Sequence, residues 1–129
     1  MRLRMCVVPL FCLLVCGGCA REKSTAQLLD DLKAPKERDR LIAVRLLPQR
    51  QGEAAQVVPA LIGALEDKDG DIRVSAAIGL GSFGEQAKDA IPALLAAQRK
   101  GRDARVREAA GKALARIDPN AVLKSPPGK

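Results

Sequence analysis

The 129-residue chain has no histidine, tryptophan or tyrosine and only two phenylalanines, Phe11 and Phe83. Without histidine there is no Ser-His-Asp or Cys-His catalysis, no imidazole metal ligand and no imidazole pH switch. Without aromatic rings there is no platform on which single-stranded nucleic acid stacks. Cysteine is confined to positions 6, 12, 16 and 19. A chain cut before Cys19 therefore keeps one thiol, forms no internal disulfide and must rely on its apolar core. No stretch alternates apolar and polar residues as a half-buried strand does. The length allows one domain at most.

What is present begins with an address. Met1-Arg2-Leu3-Arg4 is cationic, and residues 5–20 carry no charge. The run is shorter than the ~20 apolar residues of a membrane span. It contains Pro9 and ends in Gly17-Gly18, which is the pattern of a secretory signal. Cys16-Gly17-Gly18-Cys19 resembles the lipobox of bacterial lipoproteins, with Cys16 in place of the usual leucine at −3. The resemblance implies cleavage before Cys19, acylation of Cys19 and stable anchoring by several chains. A plain cleaved signal and an uncleaved anchor are the alternatives. Residues 1–18 are thus read as signal peptide and 19–24 as flexible linker. An exported protein anchored by lipid to a bacterial envelope membrane and facing the periplasm is the expected setting.

The remainder repeats. Leu28, Leu61 and Leu94 are 33 residues apart, as are Arg40 and Arg73, with Arg107 34 further on. A fixed period in this range marks a solenoid, in which each unit buries its apolar face only against its neighbours. Each unit reads as two helices. Val58, Leu61, Ile62 and Leu65 share one helix face. Ile72, Ala76, Gly79, Leu80 and Phe83 share the next, and Val106, Ala110, Ala113, Leu114 and Ile117 repeat it. Small residues at 76, 77, 79, 109, 110 and 111 allow close approach. Asp69 and Asp71 supply a turn and an N-cap. Pro59 and Pro92 are placed in first turns, where a missing N–H costs least, and Pro48 and Pro119 are read as stops.

The phrase from Val57 to Asp67, followed by Asp71 to Gly81, closely resembles a HEAT repeat. It is most like the short subtype first associated with phycobilisome lyases. The third unit matches well; the first has Ala26 in the proline position and Pro48 where glycine falls. The resemblance implies an all-α solenoid of three helix pairs over residues 25–119, divided near 25–52, 53–84 and 85–119, with 120–129 a flexible tail. It also implies that the second helix of each pair lines the inner side, presenting Arg45, Ser75, Arg107 and Lys112. Such repeats occur in bilin lyases and DNA glycosylases, but fold is nearly silent on function.

Two sets of charges are candidates. Arg40, Arg73 and Arg107, with Asp71 and Asp103, are read as a structural ladder in which the arginines pair with Asp39, Asp69 or Asp71, and Asp103 in neighbouring turns. Glu53 and Glu85 recur at the junctions and are read as helix-start residues before catalytic ones. The excess basicity lies at the C-terminus, where residues 99–129 hold nine basic and three acidic residues. Arg99, Lys100, Arg102, Arg105, Lys112 and Arg116 form a candidate binding surface, diluted by Glu108. The expected role is a membrane-anchored module binding another protein. The alternative is an electrostatic adaptor holding anionic lipid or a polyanion. Neither enzymatic activity nor a cofactor, metal or nucleic acid is expected.

Overall fold

The computed structural model describes residues 22–123. The leader, Cys19 and residues 124–129 lie outside them. Within the described residues there are helices and no strands: α1 (Thr25–Asp31), α2 (Glu37–Leu46), α3 (Ala54–Ala64), α4 (Gly70–Ser82), α5 (Ile91–Lys100), α6 (Ala104–Ile117) and α7 (Pro119–Leu123). The first six form three pairs. α1, α3 and α5 make one layer, α2, α4 and α6 the other, and α4 packs against both α2 and α6. This is the α-solenoid of three helix pairs that the repeat predicts.

Local chemistry sets the boundaries. Ser24 and Gln27 form a reciprocal capping box at α1. The Asp69 carboxylate accepts the N–H groups of Asp71 (2.9 Å) and Ile72 (3.1 Å), and Asp103 accepts that of Arg105 (2.8 Å). α4 ends at Phe83, and Gly84 follows at φ +54°, a conformation that glycine adopts without strain. α3 and α5 have no side-chain cap; 3₁₀ turns at residues 51–53 and 84–90 lead into them.

Every residue assigned above to an inward face of α4 or α6 is buried, and so are Val58, Leu61 and Leu65 of the second unit's first helix. Val57 joins them, and Ile62 packs at the edge. Units meet closely where side chains vanish. A Cβ on Gly79 would lie 2.7 Å from Pro48 Cγ, and one on Gly81 would lie 3.0 Å from Ala113 Cα. Gly81→Leu is therefore expected to force α4 from α6 and cost about 1–3 kcal/mol. A lower denaturant midpoint at unchanged slope is the expected reading.

Three expectations change. Pro59 lies inside α3, not in its first turn, because the helix already starts at Ala54. The freed carbonyl belongs to Ala55; both residues are exposed, so water can satisfy it. Pro92, by contrast, stands at the start of α5. The linker is held at its end: Lys23 bonds Asp31 at 2.6 Å, and Arg50 donates to the Lys23 carbonyl at 3.0 Å. Residues 120–123, placed in the tail, continue instead as helix α7 after Pro119. Glu53 holds the N-cap position of α3, the helix start expected of it, while its carboxylate accepts the Thr25 hydroxyl at 2.7 Å and ties α1 to the next unit.

Candidate functional site

The three repeating arginines make one contact three times. Each donates through Nη1 to the carbonyls six and five residues before it. Arg40 reaches Ala34 (3.1 Å) and Pro35 (3.2 Å). Arg73 reaches Asp67 (2.7 Å) and Lys68 (3.0 Å). Arg107 reaches Gly101 (2.9 Å) and Arg102 (3.5 Å). They close the turn between the two helices of their own unit by satisfying carbonyls that the preceding helix leaves open. Arg107 therefore serves the turn rather than the inner row in which it was placed.

Inter-unit pairing follows a different scheme from the expected one. Arg40 pairs with Asp67, not with Asp39 or Asp69, through Nε to Oδ2 at 2.9 Å and Nη2 to Oδ1 at 3.3 Å. The pair is 7% and 13% exposed. Burial alone would raise the Asp67 carboxyl; hydrogen bonds from Arg40 and from the Asp69 N–H, with the Arg40 charge, hold it below the usual carboxylate range. Between units two and three the tie is Arg105, which reaches Asp71 at 2.8 Å and Asp103 at 3.2 Å. The Arg105 backbone N–H and then its guanidinium hold the Asp103 carboxyl below its ordinary range.

Arg105, a candidate binding residue, is thus engaged within the solenoid. Lys112 is also partnered: it bonds Glu108 at 2.6 Å, and that bond holds the Glu108 carboxyl below its usual range. The six candidate cations do not form one patch. Lys100 and Arg102 line an edge groove of about 510 Å³ with Lys68 and Arg73, bordered by Glu66 and Asp67. Arg99 is exposed in the last turn of α5. Arg105, Lys112 and Arg116 line a second groove, of about 360 Å³, between α4 and α6.

A third groove of about 510 Å³ runs between α2 and α4, lined by Arg45, Pro48, Asp71, Ser75 and Ser82 among others. Ile78 belongs to both α4 grooves and stands between them, 55% exposed. Arg45, Ile78 and Lys112 hold equivalent positions in successive units. An isoleucine therefore sits at the centre of the second-helix layer with a cation on either side. The sequence carried a signal for it: at a position where the other two units carry a cation, the middle unit carries an apolar residue.

The Ser82 hydroxyl donates to the Gly79 carbonyl at 2.7 Å. Among the described residues no cluster of three or more His, Cys, Asp or Glu is placed to hold a metal ion, and no helix is long and apolar enough to cross a membrane.

Comparison with known proteins agrees with the geometry. The family described as HEAT repeats matches residues 25–117. Among solved structures the chain is similar to one in the complex of CpcE and CpcF of phycocyanin lyase from Nostoc sp. PCC7120, with 26% identity and a TM-score of 0.70. The match covers 82% of this chain and 42% of that one, so the chain spans less than half of that protein's length. A search of the curated proteins found no match.

Proposed function

Since the chain belongs to the HEAT-repeat family, we propose that it is a protein-binding module whose second-helix layer docks a partner around Ile78 and whose acylated Cys19 holds it at a bacterial envelope membrane. The observation that carries the reading is Ile78 itself. A large apolar side chain stands 55% exposed between two grooves, outside the buried core. Burying its exposed half against a partner is worth about 1–1.5 kcal/mol. Arg45 and Lys112 beside it favour a partner with carboxylates around an apolar anchor. The solved complex of two lyase chains supports pairing between proteins as a use of this fold. The reading is of binding, because the groove walls combine apolar and charged side chains that a partner surface can match.

The test is a crosslinked pull-down of the tagged, membrane-extracted chain beside its Ile78→Glu variant, washed at low and high salt. Ile78 is exposed, so the variant folds. A defined protein that survives high salt with the native chain and falls at least tenfold with the variant is the expected result. Recovery of only salt-labile polyanions or anionic lipid would favour the electrostatic adaptor instead. Mass spectrometry of the same material reads the N-terminus: an acylated Cys19 is expected, and an intact Met1 would end the lipoprotein assignment.

A further inference from the structure

The second-helix layer has a direction that its register makes explicit. The α6 residues lining the α4–α6 groove are 105, 108, 109, 112, 113 and 116. Subtracting one repeat of 34 gives 71, 74, 75, 78, 79 and 82, all of which line the α2–α4 groove from the α4 side. This is the face that each second helix turns toward the unit before it. The close contacts obey the same register, because Pro48 against Gly79 repeats as Gly81 against Ala113. On α2 the corresponding face is 38, 41, 42, 45, 46 and 49, and no unit stands before it among the described residues. Its equivalents on α4 and α6 are small: Ser75 and Gly79, Ala109 and Ala113. On α2 they are Ile42 and Leu46, which are 38% and 36% exposed. On α6, Glu108 and Lys112, at the positions that Val74 and Ile78 hold on the ridge between the two α4 grooves, close on each other in an ion pair. The first unit thus exposes two large apolar side chains, flanked by Arg38 and Arg45, where a terminal repeat needs a polar outer face.

Charge identifies what covers it. Arg38, Asp71 and Arg105 form one row across the layer, with Asp71 bonded to Arg105. The row alternates in sign and ends on Arg38, which makes no ion pair with any described residue. A second copy stacked face to face would set against each other two faces that each carry Arg38 and Arg45 and no carboxylate. Stacked head to tail, it would bring Arg105 and Lys112 toward them. Both arrangements oppose like charges. We infer that the α2 end of the solenoid is a stacking surface for an amphipathic helix of another protein, one that covers Ile42 and Leu46 with an apolar stripe and pairs a carboxylate with Arg38 as Asp71 pairs with Arg105. This surface adjoins the α2–α4 groove, with which it shares Arg45, but Arg38, Ile42 and Leu46 line neither Ile78 groove.

The test places a photo-reactive benzophenone side chain at position 46 of the full chain in the producing cell, with and without Arg38→Glu. Both positions are exposed, and unchanged circular dichroism confirms that the variants fold. The expected result is a discrete adduct with one protein, mapped by mass spectrometry to a helix bearing Asp or Glu. It should fall at least tenfold with Arg38→Glu, return when that carboxylate is changed to arginine, and persist in Ile78→Glu. Absence of an adduct, an adduct with this chain itself, or an adduct indifferent to Arg38→Glu would overturn the inference. So would binding of the purified chain to phosphatidylglycerol vesicles that is lost with Arg38→Glu, because it would assign the face to a membrane.

Discussion

Truncating Leu80 to alanine is expected to remove about 3–5 kcal/mol of folding free energy. Leu80 is fully buried on α4, the one helix that packs against both flanking second helices and against its own partner α3. The cavity would open where all three units meet. A domain of this size has on the order of 5–15 kcal/mol in total. Three stacked units are also about the minimum that sustains a solenoid, so no distant repeat compensates. The variant should unfold at a much lower urea concentration. A three-unit stack should also lose its single transition, with units one and three no longer melting together. A Leu80→Ala chain within 1 kcal/mol of the native one would mean that α4 is not the keystone of the stack.

The second large effect is expected at Asp67. Replacing it with asparagine leaves Arg40 shielded from water without its counter-charge, which costs about 3 kcal/mol and lowers Tm by about 10–20 °C. The same pair gives the stability its pH dependence. Asp67 is held below the usual carboxylate range in the folded chain, so the unfolded chain binds the proton more readily. Its contribution is complete above the ordinary carboxylate range and is lost as pH falls through the lowered folded value. Thermal melts from neutral to acid pH should therefore show a steep loss in the native chain and a shallower one in Asp67→Asn. Asp103 and Glu108 are lowered too, but their pairs lie largely in solvent and should add little. Parallel acid profiles for the two chains would show that Arg40–Asp67 is not the coupled pair.

The period of 33 was enough to find three helix pairs and nearly every buried residue of α4 and α6, because burial in a solenoid follows the repeat. What departs from the repeat was not legible. Asp67 stands where the other units carry Ala34 and Gly101, so no periodic argument marks it as the partner of Arg40. The six C-terminal cations looked like one patch because they are close in sequence; the fold divides them between an edge groove and the α4–α6 groove and commits two of them to ion pairs. Ile42 and Leu46 read as ordinary apolar helix residues, and Ile78, though marked by the cations at its equivalent positions, is not shown by them to be exposed. Their exposure depends on which neighbouring helix is present, and a single unit's pattern does not contain that information. Pro59 misled for a related reason: where a helix starts depends on the turn leading into it, not on the proline alone.

The turn-closing arginines have a consequence for how such a chain changes length. Each directs its Nη1 only to carbonyls of its own unit, so a unit carries its turn closure with it wherever it is placed. Duplication or loss of one unit would leave every remaining turn intact. The ties between units are not transferable in this way: Arg40–Asp67 joins the first to the second, and Arg105–Asp71 joins the second to the third. Transposing units would keep three well-formed helix pairs but mismatch both joints. The sequence thus separates what makes a unit from what fixes its place in the order, and growth by copying is cheaper for it than rearrangement.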